Sequence, residues 1–288
     1  MNRRTLLRTL PALAAASSLN AAVETSKGGA RLKSAICAYS FRNELQKKTM
    51  SYEDLVRLCA DVDVDGLDLT VYWLPSTSDS FLMPLRRLAY RSGIDIYSIS
   101  VRTDMCKAPA DQDKEIGVVK GWVDVAAKLG AGHIRVFGGN VPKTSNEDEA
   151  AGWVVEILKR ASEYAGSKGV ILGLENHGGI TEKAARIVEI VKKVDSPWVG
   201  INLDTGNFHS NVYSQIEMCV PYAVNVQVKE RVRVDGKHED SDWARVTGML
   251  RKSGYKGYLA LEYEEKEPAP TAVPRLIPKL RKTIGQIA

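Results

Sequence analysis

Eight short apolar or alternating runs, each separated from the next by a longer amphipathic or polar stretch, constrain this chain more than any other feature. The runs lie at 34–39, 66–71, 94–101, 133–137, 170–175, 199–204, 223–229 and 257–262. Runs of this length and spacing predict β-strands. Between them, 52–60, 116–129, 148–168, 181–194 and 243–253 carry helical patterns. In 148–168 the apolar residues Val154, Val155, Ile157, Leu158 and Ala161 fall on one helix face. Gly130, Gly169 and Gly254 follow helix ends, where a left-handed cap is wanted. Strict strand–helix alternation implies a parallel sheet. Eight such units predict a closed (β/α)8 TIM barrel, a fold of about 250 residues. An open doubly wound sheet is the structural alternative, but no G-x-G-x-x-G turn follows the first run.

The first residues have a different character. Arg3 and Arg4 precede an apolar stretch over about 6–16, followed by small residues near Ala21 and Ala22. That order predicts a twin-arginine-type signal peptide over residues 1–22 and export to the periplasm. The apolar run is much shorter than the roughly 20 residues of a membrane span. Residues 23–31 form a linker, and a single barrel domain occupies 32–288. The chain has 40 Lys plus Arg against 35 Asp plus Glu. Arg3, Arg4 and Arg8 belong to the leader, so the remainder balances at 37 against 35. So small an excess is not the electrostatic footprint of a nucleic-acid partner. Cys37, Cys59, Cys106 and Cys219 form no C-x-x-C pair, which removes zinc-ribbon and thioredoxin-like functions. Oligomeric state is not legible.

In a TIM barrel the chemistry gathers at the C-terminal strand ends. The fifth run ends in Glu175, with His177 just beyond. The sixth ends in Asp204, followed by Asn207. The seventh carries Gln227 and Lys229, and the eighth ends in Glu262. Taken singly, a Glu after a strand is usually solvated or caps a helix, and Asp204 before Thr205-Gly206 could be a turn former. Four successive strands bringing such residues to one rim is a different matter. Three carboxylates in one place repel and need a cation or shared protons. An oxygen-rich set suits Mn²⁺ or Mg²⁺ better than zinc. Arg135, closing the fourth run, is placed to bind an anion or hydroxyl. Trp73 and Phe41, after the second and first runs, are candidates for an apolar wall or for ordinary core packing.

The segments GLENHGG, INLDTGNF, VNVQVKE and GYLALEYE, with LGAGHIRVFGG and CAYSFRN, resemble the sugar phosphate isomerase/epimerase superfamily of xylose isomerase-like TIM barrels. The resemblance runs over essentially the whole mature chain. It implies one divalent metal ion held by Glu175, Asp204, Gln227 and Glu262, with Mn²⁺ first and Mg²⁺, Co²⁺ or Zn²⁺ as alternatives. It implies Glu175 and Glu262 as the acid/base pair, and His177, Arg135, Lys229, Asn207, Trp73 and Phe41 as substrate contacts. Two positions depart from the pattern: Asn207 stands where many members have His, and Gln227 where many have His. The histidine-rich site of the endonuclease IV branch has no counterpart among four histidines of which only His177 is beside a proposed ligand. The expected activity is a metal-dependent isomerase or epimerase of a sugar or keto-sugar, acting through an enediolate. The alternatives are a lyase or dehydratase on the same scaffold, and a non-catalytic carbohydrate-binding subunit.

Overall fold

The computed structural model describes residues 31–288 apart from Asp235. The leader and all but the last residue of the linker lie outside the described residues. Among the described residues there are ten strands: β1 (Leu32–Cys37), β2 (Gly66–Thr70), β3 (Asp95–Ser100), β4 (His133–Phe137), β5 (Ile171–Glu175), β6 (Val199–Asp204), β7 (Ala223–Val228), β8 (Arg231–Val234), β9 (Lys237–Asp240) and β10 (Gly257–Leu261). Eight of them close a barrel in the order β1-β10-β7-β6-β5-β4-β3-β2. Its neighbours pair in parallel, including the closing contact of β1 with β10. The fold is therefore the expected TIM barrel, and all eight expected strands occur within two residues of their sequence positions.

The helices are α1 (Arg42–Lys47), α2 (Tyr52–Asp61), α3 (Asp79–Arg91), α4 (Gln112–Leu129), α5 (Glu147–Ser167), α6 (Ala184–Val194), α7 (Val212–Cys219), α8 (Trp243–Ser253) and α9 (Ala269–Thr283). Their ends follow local chemistry. Ser51 and Asp54 form a reciprocal capping box at the start of α2. The Asn146 side chain accepts from the backbone amides of Asp148 and Glu149 at the start of α5. Gly130 and Gly254 take left-handed conformations and close α4 and α8. The antiparallel β8–β9 hairpin was not expected. It interrupts the connection from β7 to α8, and its alternating Arg-Val-Arg-Val pattern buries Val232 on one side. Among the described residues no helix is long and apolar enough to cross a membrane.

Alternation along the strands divides the barrel into two chemistries. One set of residues, such as Leu67, Ile99, Ile134, Leu172, Ile201 and Leu259, joins the main apolar core with helix residues including Leu55, Leu82, Val123, Leu158, Ile187 and Leu250. The opposite set fills the lumen and is largely polar, beside a small apolar cluster of Ala35, Cys37 and Ala260. Asn225 donates to Asn202 at 2.8 Å, and Asn202 donates to the Gln227 side-chain oxygen at 2.7 Å. Ser100 donates to Asp68 at 2.9 Å, and Ser98 meets His133 Nδ1 at 2.8 Å. TIM-barrel lumens are usually filled by branched apolar side chains. Here polar groups take most of that place, and a buried polar network holds only when its members find partners. Burial and the nearby Arg135 push the pKa of His133 down to about 3, so this lumen imidazole is neutral.

Gly173 on β5 shows how tightly the lumen is filled. A Cβ there would lie 2.2 Å from His133 Nε2 and 3.1 Å from the Asn202 Cβ. The His133 ring is held at Nδ1 by Ser98, so it has little freedom to yield. Gly173→Ala is expected to lower stability by about 1–3 kcal/mol, the usual range for overpacking. Urea unfolding monitored by circular dichroism checks this; an unchanged midpoint would show that the lumen can relax.

Candidate active site

The rim is built by the same two-residue period that fills the lumen. Glu175 and Asp204 are the last residues of β5 and β6. Gln227 and Lys229 are two residues apart at the end of β7, and Glu262 and Glu264 follow β10 with the same spacing. All of these except Gln227 line a cavity of about 210 Å³, together with Tyr39, Tyr72, Arg102, Arg135, Phe137, His177 and Asn207.

Two buried cations organise the acids. Lys229 Nζ lies 2.7 Å from Glu262 Oε1, 2.7 Å from Glu264 Oε2 and 3.1 Å from Asp204 Oδ2. Arg135 Nε lies 2.9 Å from Glu175 Oε2. The side chains of Lys229, Arg135, Asp204, Glu175 and Glu262 are all at most 9% exposed. Removing one partner from a buried pair typically costs about 3–5 kcal/mol, because it strands the other charge. The second oxygens of Glu175 and Asp204 are tied in turn. Asn207 donates to Glu175 Oε1 at 3.0 Å. Asp204 Oδ1 accepts from the Gly206 amide at 2.8 Å, so this residue forms a turn with one oxygen and faces Lys229 with the other. Asn176 bridges to the backbone of Asp204 in both directions at 2.8 Å and locks the ends of β5 and β6 together.

These surroundings separate the carboxyl groups. Burial, opposed by Arg135 and helped by Asp204 and Glu262, pushes Glu175 up to about 8. Burial, opposed by Lys229 and helped by Glu262, pushes Asp204 up to about 7. At Glu262 burial acts upward too, but the charge and hydrogen bond of Lys229 outweigh it and hold the group below its usual value. Burial and then Arg135 lower His177, whose ring packs against Phe137 with centroids 4.1 Å apart. The Arg135 guanidinium lies over the Phe137 ring at 4.1 Å, and Arg102 over Tyr72 at 4.1 Å.

Most of the residues anticipated from the sequence meet in this cavity: Glu175, Asp204, Glu262, His177, Arg135, Lys229 and Asn207. Three do not line it. Phe41 is fully buried in core packing, because the chain leaves strand geometry at Ala38 and turns through a 3-10 helix to Phe41. Trp73 stands behind the wall, stacked on Tyr39 at 6.0 Å, while Tyr72 takes the lining position. Gln227 turns into the lumen, where its Nε2 donates to Asp68 Oδ2 at 3.2 Å. Tyr39, Tyr72, Arg102, Phe137 and Glu264 were not anticipated. Glu264 was within reach of the strand period, two residues beyond Glu262; the tyrosines were not, because 3-10 turns replace a period of two by one of three.

The expected metal set can be tested on these contacts. The point on which Asp204, Glu262 and Glu264 converge is filled by Lys229 Nζ. A divalent ion needs oxygen ligands at about 2.0–2.6 Å and does not fit beside that ammonium group. Glu175 is paired with Arg135 instead, and Gln227 points away. Among the described residues no group of three or more His, Cys, Asp or Glu side chains is arranged to hold a metal ion.

Comparison with known proteins places the barrel. The chain is similar in structure to a xylose isomerase domain protein from Planctomyces limnophilus, at 17% identity and a TM-score of 0.67, covering 91% of this chain and 100% of that one. It is similar to D-psicose 3-epimerase from Clostridium cellulolyticum H10, solved with D-tagatose, at 16% identity and a TM-score of 0.72, covering 88% and 99%. It is also similar to the IolI protein, solved with a bound zinc atom, at 18% identity and a TM-score of 0.72, covering 87% and 96%. No curated protein matches the chain. The family model for the xylose isomerase-like TIM barrel matches residues 56–283, and the chain belongs to that family.

Proposed function

We propose that this protein is an isomerase or epimerase of a small carbohydrate that carries a carbonyl group. The observation that carries this is the pairing of Glu175 and Glu262 in one cavity under opposite influences, one pushed towards the protonated form by burial despite its Arg135 partner and the other held ionised by Lys229. Two carboxyl groups whose environments separate them are suited to act as acid and base. Sugar epimerases among the solved relatives support the same chemistry.

In this scheme Glu262 takes the proton from the carbon beside the carbonyl. The C–H electron pair moves into the new C=C bond and the carbonyl π pair onto oxygen, giving an enediolate. Arg135 and Lys229 provide fixed positive charge next to that developing anion, in a site where water does not screen it. For epimerisation Glu175 returns a proton to the same carbon from the other face. For isomerisation the proton goes to the former carbonyl carbon, while the hydroxyl proton of the neighbouring oxygen passes to the former carbonyl oxygen and the carbonyl re-forms at that neighbour. Proton exchange with solvent then resets the pair. His177 is placed to contact hydroxyl groups in its neutral form, while Phe137, Tyr39 and Tyr72 form the less polar wall.

Glu262→Gln and Glu175→Gln should each lower turnover by about 10²–10⁴, the usual contribution of a positioned acid or base. The measurement is uptake of solvent deuterium beside the carbonyl, across a panel of ketoses, keto-acids and keto-glycosides in D₂O. Near-wild-type exchange in both variants would move the base elsewhere. The pH profile is a second check. Glu175 is a proton donor only below its raised pKa, so kcat/KM should fall by about tenfold per pH unit above about 8. Glu175→Gln should remove that limb.

The leader is proposed, from the arginine pair and the short apolar run, to be an export signal dispensable for folding. A chain beginning at Val23 should unfold at the same temperature as the full chain. A lower midpoint would make residues 1–22 part of the fold.

A further inference from the structure

We infer that the side chain of Lys229 is the resident cation of this site, in place of the divalent metal ion that the resemblance implies for its carboxylates. The inference concerns the cluster formed by Lys229, Asp204, Glu262 and Glu264, and rests on the site described above but not on the reaction proposed for it.

Three independent features of the chain support a built-in ammonium group. The first is convergence. Carboxylates from β6 and from the segment after β10 meet Lys229 Nζ at 2.7–3.1 Å. An ammonium group has three donors and no acceptor, which suits a ring of acids. Two of these donors go to Glu262 and Glu264, and Asp204 closes the ring as an ion pair.

The second is the path of the lysine stem. Gly206 lies against it, and a Cβ at that position would stand 2.4 Å from Lys229 Cγ and 3.1 Å from Lys229 Cβ. Gly206 does not occupy a left-handed conformation, so backbone geometry does not require glycine there. Close approach of the lysine does. The base of the side chain is fixed as well: the Lys229 amide donates to Thr205 Oγ1 at 3.1 Å, and the Trp243 indole donates to the Lys229 carbonyl at 2.8 Å. Thr205 and Gly206 of the INLDTGNF segment thus hold the base and stem of the side chain whose ammonium group meets the acids.

The third is Gln227. A neutral amide on β7 would be available to a metal, but both ends are engaged in the lumen. Its oxygen accepts from Asn202 at 2.7 Å and its nitrogen donates to Asp68 at 3.2 Å. Turning it to the rim would leave the buried Asp68 and Asn202 short of partners, and unmet buried polar groups are costly. Charge agrees with geometry. Arg135 covers Glu175, and Lys229 covers the acids on the other side of the cavity.

The test is titration of Mn²⁺ into purified full-length protein, read by calorimetry and by thermal unfolding, with metal content measured beforehand. Wild-type protein should carry far less than one equivalent of metal, show no heat of Mn²⁺ binding, and unfold at the same temperature with EDTA or Mn²⁺. Lys229→Met keeps the length of the side chain but removes its charge. That variant should unfold at a lower temperature than wild type, and Mn²⁺ should raise its midpoint by on the order of 5 °C once the ion is at roughly 100 times its dissociation constant. Lys229→Arg keeps the charge and should not take up Mn²⁺. A wild-type protein that carries one equivalent of tightly held metal, or is stabilised by added Mn²⁺, would overturn the inference. So would a Lys229→Met variant as stable as wild type without metal. If Lys229→Met does not fold, the wild-type titration decides alone. None of these readouts depends on turnover, so deuterium exchange can fail while this assignment stands, and the reverse.

Discussion

Buried negative charge at one end of the barrel is the constraint around which the rest is arranged. Glu175, Asp204 and Glu262 are removed from water, and Glu264 stands close behind them. A carboxylate transferred into such surroundings must be paired or give up its charge. The chain does both. Lys229 keeps Glu262 ionised, while Glu175 and Asp204 are raised towards neutrality by burial despite their cations. Separate protonation tendencies within one small cavity are a consequence of that unequal pairing. They are also what acid/base chemistry requires.

The polar lumen supports this arrangement from below. Asn202, Asn225, Gln227, Asp68 and Ser100 form a connected network across the barrel. Such a network is rigid only while its members find partners, and it fixes the rotamers of the strand residues beneath the rim. The apolar work of folding is done elsewhere, between the outer face of the sheet and the ring of helices. Separation of the two lets the lumen and rim be specialised without loss of the main core. All four cysteines are buried and free. Burial pushes Cys59, Cys106 and Cys219 up to about 12 and raises Cys37 well above the usual thiol range, so they act as packing groups.

The two departures from the family pattern acquire a physical meaning in the structure. Asn207 gives Glu175 a neutral hydrogen-bond donor at 3.0 Å, and among the described residues the ion-pair partner of that carboxyl group is Arg135. Gln227 joins the lumen network through both ends of its amide, something an imidazole with two ring nitrogens would do with different geometry. The two positions have in common that an amide satisfies a neighbour without adding charge.

The sequence by itself determined the barrel. Its strands alternate strictly and its helices carry one apolar face, and those periods are local properties of the chain. It also determined which residues arrive at the rim, because strand ends in a parallel barrel all point to one side. Glu175, Asp204, Glu262, Arg135, His177, Lys229 and Asn207 were legible for that reason. Tertiary structure alone decided what those residues do to one another. Lys229 could have reached into solvent, and Gln227 could have faced the rim. Closing the sheet set Lys229 against carboxylates from β6 and the far end of the chain, and set Gln227 against Asp68 on the opposite wall. Phe41 and Trp73 take the core-packing alternative and not the wall, because a 3-10 turn after each of β1 and β2 changes which side chain faces inward, and those turns depend on how the loops pack on their neighbours. Pairing across a closed barrel joins residues that are distant in the chain, and no local period carries that information.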